Sequence, residues 1–136
     1  MQPEALTGSC LCGSVKFEIK PPLSGFRYCH CSRCQKASGS AHASNIFVPQ
    51  SRMKWLTGEG LITRFDVPGA KRFSVWFCSR CGTRVPHKVR ERDDYLVPAG
   101  VLDEDPAMRP QNSIFWNSKA PWYVEPAEIP KFSEYS

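Results

Sequence analysis

The sequence predicts an all-β domain built from several small sheets, and three observations carry that expectation. Apolar and polar residues alternate over short runs, as at residues 14–20, where Val15, Phe17 and Ile19 face one way and Lys16, Glu18 and Lys20 the other. Most such runs are bounded by Gly or Pro, and 12 prolines in 136 residues remove amide donors often enough to exclude long helices. Seven cysteines fall in three tight clusters, a supply of metal ligands in a chain with little room for a second domain. The expectation is a single zinc-binding domain over residues 1–136, with a core from about 7–102 and an extended aromatic-rich segment over 110–136.

In chain order, the first strand at 14–20 stops at Pro21-Pro22. Further strands are expected at 25–29, 43–48, 53–57, 61–67, 72–78, 84–88 and 95–99, most of them rich in β-branched or aromatic residues. Gly58 and Gly60 suit a hairpin joining 53–57 to 61–67, and Pro68-Gly69 a second one joining 61–66 to 72–77. Short helices are expected over 32–38 and 103–108. Beyond Pro110, Trp116, Trp122, Tyr123, Phe132 and Tyr135 are separated by prolines and polar residues, the pattern of an extended tail laying aromatics over the sheet.

Hydrophobic residues at 41% and charged residues at 23% exclude a disordered chain. No apolar run approaches the roughly 18 residues of a membrane helix, and Met1-Gln2-Pro3-Glu4 lacks the start of a signal peptide, so the expectation is a soluble cytoplasmic protein with no membrane partner. An odd number of thiols without an export signal argues against a disulfide framework and for metal or thiol chemistry. The formal charge of +5 invites a nucleic-acid partner, yet seven thiolates on two zinc ions bring it down to about +2. Lys and Arg are spread along the chain, and the dense patch at 88–92 is broken by Glu91 and followed by Asp93 and Asp94. Nucleic acid is therefore disfavoured, and oligomerisation is left open.

The cysteine clusters are Cys10 and Cys12; Cys29, Cys31 and Cys34; and Cys78 and Cys81. Cys78-Ser79-Arg80-Cys81-Gly82 is a zinc knuckle pattern, two thiolates on one side of a tight turn with Gly relieving the crowding after it. Two all-cysteine tetrahedral sites need eight thiolates, so with seven one site is short. The simplest partition closes Cys10, Cys12, Cys78 and Cys81 around a structural zinc and leaves Cys29, Cys31 and Cys34 as a three-thiolate site with an open position for chemistry. Three alternatives stand beside it: a ribbon joining Cys31 and Cys34 to Cys78 and Cys81; a second structural zinc completed by His30, His42 or His87; and a metal-free redox role for the three thiols. His30, lying between two ligands, is expected to point away. Arg33 and Lys36 are candidates to meet substrate carboxylates, and Trp55, Trp76 and Trp116 to line a groove, although in each case a surface or core role competes.

Gly8-Ser9-Cys10-Leu11-Cys12-Gly13-Ser14-Val15, Cys29-His30-Cys31-Ser32-Arg33-Cys34 followed by Ser38-Gly39, and Phe77-Cys78-Ser79-Arg80-Cys81-Gly82 together resemble the glutathione-dependent formaldehyde-activating enzyme family, which also includes centromere protein V. The resemblance runs from about Thr7 to Leu102. It implies several small coiled antiparallel sheets in a β-tent (Mss4-like) fold with two zinc ions per chain, structural on Cys10, Cys12, Cys78 and Cys81 and catalytic on Cys29, Cys31 and Cys34. It also implies a carbon-sulfur lyase-type activity, the condensation of glutathione or a similar small thiol with formaldehyde or a related aldehyde. Because the same scaffold also serves a chromosome-associated protein, the competing reading is a non-catalytic module with two structural zincs for protein or nucleic-acid interaction.

Overall fold

The computed structural model describes residues 4–135. Eleven strands and one helix follow in the order β1 (Leu6–Ser9), β2 (Lys16–Ile19), β3 (Gly25–Cys29), α1 (Ser32–Ser38), β4 (Ala43–Pro49), β5 (Met53–Thr57), β6 (Ile62–Asp66), β7 (Ser74–Cys78), β8 (Arg84–Val85), β9 (His87–Lys88), β10 (Asp94–Pro98) and β11 (Asn112–Ile114). They form three sheets, β1-β2-β5, β11-β3-β4-β10-β9 and β6-β7-β8. All pairings are antiparallel except β11 on β3. Among the described residues no helix is long and apolar enough to cross a membrane.

The alternation in β2 buries Phe17 and Ile19 against Leu6, Phe26, Ile46, Val48 and Val97, which joins the first two sheets in one core. A second cluster of Cys10, Val15, Trp76, Cys78 and Val85 joins the first sheet to the third, and Trp55 and Tyr95 pack against both clusters. Burying these side chains supplies the stabilisation that no one small sheet could provide alone.

Four expectations are corrected. Residues 53–57 and 61–67 do not form a hairpin: β5 pairs with β2, and β6 with β7. Gly58 carries the chain between the two sheets at φ 78°, where a β-carbon would collide with the Ser14 carbonyl. Pro86 splits the strand expected at 84–88, sending Arg84–Val85 to the third sheet and His87–Lys88 to the second. No helix forms over 103–108. Asp105 there accepts hydrogen bonds from Arg109 and from the Ala107 amide, while Asp103 and Glu104 accept from Ser9 and Thr7 of β1. The tail adds β11 to β3 but leaves Trp122, Phe132 and Tyr135 exposed rather than over a sheet. The hairpin at Pro68-Gly69 forms as expected, with Asp66 opposite Ser74.

Candidate metal centre

The end of β1 and the end of β7 each deliver a cysteine pair on a tight turn. Cys10 turns back through Gly13 N–H donating to its carbonyl at 2.9 Å, and Val15 N–H donates to its Sγ at 3.3 Å. In the knuckle after β7, Gly82 N–H donates to the Cys78 carbonyl at 2.8 Å, and Gly82 takes φ 76°, a conformation that costs glycine little. Thr83 bridges the two loops, its hydroxyl 3.0 Å from the Leu11 amide that donates to it and 3.2 Å from Cys81 Sγ.

The Sγ atoms of Cys10, Cys12, Cys78 and Cys81 all lie within 4.8 Å of one another. The spacings of 3.6 Å from Cys10 to Cys12 and 3.9 Å from Cys12 to Cys78 bracket the separation of about 3.8 Å that tetrahedral Zn–S bonds of about 2.3 Å require. They are far too long for disulfides, and all seven cysteines are free. Hydrogen bonds from the Thr83 side chain and backbone bring Cys81 down to about 5, and those from Ser14 lower Cys12, so the loops favour thiolates. Burial pushes Cys78 the other way.

The second cluster lies where β3 meets α1. Cys29 ends β3, paired with Ala43 of β4 on one side and Ile114 of β11 on the other. Cys31 is the N-cap of α1, its Sγ accepting from the Cys34 amide at 3.3 Å, and Cys34 is the helix's buried residue. Their three sulfurs also lie within 4.8 Å of one another. The Cys34 hydrogen bond holds Cys29 down to about 6, while that same contact and burial push Cys34 up.

Among the described residues no histidine nitrogen joins either group. His30 points into an aromatic cage, with ring centroids 5.0 Å from His42, 5.0 Å from Trp116 and 5.2 Å from Tyr123. His42 stacks on Tyr28 at 4.2 Å, with Nδ1 3.2 Å from the Ala43 carbonyl. The ribbon partition also fails, because Cys31 and Cys34 group with Cys29 and not with Cys78 and Cys81.

The three-cysteine group borders a cavity of about 790 Å³, which Arg33 also lines. Lys36, three residues along the helix, opens instead onto a neighbouring apolar groove beside Phe65 and Phe77. None of the three tryptophans lines the cavity. Trp76 is core, Trp55 bridges the two clusters, and Trp116 packs on His30. On the cavity wall, sequence reasoning passed over Arg84 and weighed His87 only as a ligand to close a second zinc. Their only local signal is position just after the knuckle, since the β7–β8 turn and Pro86 aim them.

His87 is buried, and its Nδ1 has no partner among the described residues. Burial foremost, and then the Arg84 charge, lowers it from an ordinary value of 6.5 to about 3, against a smaller opposing pull from Asp66. The folded protein thus keeps His87 neutral to about pH 3, whereas the unfolded chain takes up its proton near 6.5. This contribution to stability is complete above pH 6.5 and declines as pH falls toward 3, by up to about 1.4 kcal/mol per pH unit. Urea unfolding of wild type and His87→Gln from pH 7 to pH 4 is expected to show a shallower acid loss in the variant; parallel curves would contradict it.

The fold is thus all-β, with one four-cysteine group and one three-cysteine group bordering a cavity, each of which could hold a metal ion. The sequence profile of the glutathione-dependent formaldehyde-activating enzymes matches residues 5–118. The chain belongs to that family. It is 28% identical to a protein of Halomonas elongata whose name provisionally makes it a glutathione-dependent formaldehyde-activating enzyme, over 88% of this chain and 80% of that one. A crystal structure of a Rhodobacter sphaeroides protein shares the fold, with a TM-score of 0.61 and 23% identity over 79% of this chain and 98% of the other.

Proposed function

We propose that the chain is a zinc-dependent enzyme of the carbon-sulfur lyase type that joins a small thiol, glutathione or a similar one, to formaldehyde or a related small aldehyde. One observation carries the reading: three sulfurs within 4.8 Å, with no fourth protein ligand beside them among the described residues, border a cavity of about 790 Å³. On this reading Cys10, Cys12, Cys78 and Cys81 hold a structural zinc, and Cys29, Cys31 and Cys34 hold a second, catalytic one. Zinc held by those three cysteines would supply Lewis acidity to a thiol sulfur or carbonyl oxygen.

The chain's own part is positioning. The cavity falls within the usual range of roughly 300–1,000 Å³ for ligand sites, large enough to seat thiol and aldehyde together. Holding the sulfur beside the carbonyl carbon removes the entropy of a bimolecular encounter. The sulfur bonds to the carbon, the carbonyl π pair moves to oxygen, and the proton lost by the thiol ends on that oxygen. Arg33, exposed on the cavity wall, adds positive charge where an anionic thiol enters. Seven free cysteines suit a reducing compartment, the cytoplasm on this reading.

Native mass spectrometry tests the proposal. The protein is expected to carry two zinc ions and to gain a glutathione adduct that is absent from Cys31→Ser. Two zincs without an adduct of glutathione or any other small thiol would turn the reading toward a closed binding module.

A further inference from the structure

The wall of the cavity that the three cysteines border is cationic. Arg33, Lys71, Arg72, Arg84 and Arg92 all line the cavity, and no Asp or Glu does. Two of the five have carboxylate partners outside it, Arg72 with Glu91 at 3.9 Å and Arg92 with Asp94 at 2.6 Å. Of the remaining three, Arg33 and Lys71 are exposed, where water screens and solvates their charge.

Arg84 differs from both. It sits on β8 opposite Phe77, in the short strand that follows the knuckle, so the backbone holds its stem in place. Its Nε is fully buried without a hydrogen-bond partner among the described residues. Its guanidinium lies 5.7 Å from the Phe73 ring centroid, and Asn45 and His87, both buried, line the same cavity. Burial lowers its affinity for a proton, against an opposing pull from the nearby Cys34 and Cys31 sulfurs. A guanidinium Nε kept out of water with its donor unused is costly, and a carboxylate that meets it together with a neighbouring Nη matches the forked geometry best.

We infer that Arg84 is a positioning residue that receives a carboxylate of the thiol substrate, so that the cavity selects carboxylate-bearing thiols over neutral ones of the same size. This inference rests on the proposed function and narrows its substrate class. Arg84 holds the anionic end while the thiol end reaches the three-cysteine group. No bond to Arg84 forms or breaks.

The test compares two small thiols of nearly equal shape, 3-mercaptopropionate and its neutral amide 3-mercaptopropionamide, binding to the zinc-loaded full-length protein in titration calorimetry. The wild type is expected to bind the carboxylate at least about 10-fold more tightly, the scale of one charge-assisted hydrogen bond. In Arg84→Met that gap should close to within about 3-fold while amide binding stays unchanged, and Arg84→Lys should keep part of it. Lys71→Met should leave the gap nearly intact. If Arg84→Met loses zinc or unfolds, Arg84→Gln, which keeps length and polarity without charge, decides the question by the same criterion. The inference is overturned if the wild type binds both thiols equally, if the gap survives in the Arg84 variant, or if Lys71→Met closes it as far. Equal binding of both thiols removes only the role of Arg84, whereas a wild type that binds neither of them nor glutathione removes the proposed function as well.

Discussion

Cys78→Ser is expected to leave the protein largely unfolded, or to lower its thermal midpoint by more than 10 °C, and to release the zinc assigned to the four-cysteine group. Cys78 is fully buried at the end of β7, in contact with the cluster of Val15, Trp76 and Val85. Its sulfur belongs to a group whose members come from the end of β1 and the end of β7. Metal bound there ties the first sheet to the third, and structural zinc binding contributes folding free energy on the order of 10 kcal/mol. A domain of this size is stable by only about 5–15 kcal/mol, so losing one of four ligands removes much of the margin. Circular dichroism melting with zinc counting checks the result. A variant that melts within a few degrees of wild type would show that the group is not structural.

Cys31→Ser has the opposite expected profile. The second zinc and the thiol adduct should disappear, with activity reduced at least 100-fold, while the thermal midpoint moves by no more than a few degrees. The reason is local. Cys31 is partly exposed and caps α1 by accepting from the Cys34 amide, a role that serine performs well. The strands behind it remain held by β3–β4 pairing and by β11 on the other edge. Collapse as severe as that of Cys78→Ser would overturn the division into a structural and a catalytic centre.

The site was more legible in the sequence than the strand partners were. Tight cysteine spacings are a local property: Cys29, Cys31 and Cys34 are close because one strand end and one helical turn contain them. Counting cysteines then left few ways to group the rest, and the sulfurs lie in one group of four and one of three. The orientation of His30 away from the cysteines was legible for the same reason, since a residue between two ligands is turned outward.

Strand partners were not, because alternation reports which face is buried and not which strand lies alongside. Residues 53–57 look as ready to pair with 62–66 as with 16–19, and the choice of β2 depends on Trp55 packing against Phe17 and Tyr95. The helix expected at 103–108 lost to hydrogen bonds between its carboxylates and β1, almost a hundred residues away.

By itself, then, the sequence determined an all-β chain carrying a group of four cysteines and a group of three, because cysteine spacing and turn geometry act over a few residues. Only the tertiary structure decided what faces the three-cysteine group. It put Arg84 and His87 on the cavity wall and turned Lys36 onto another surface. Those placements follow from the β7–β8 turn, the break at Pro86 and the pitch of one short helix, and each takes effect only once distant segments have packed.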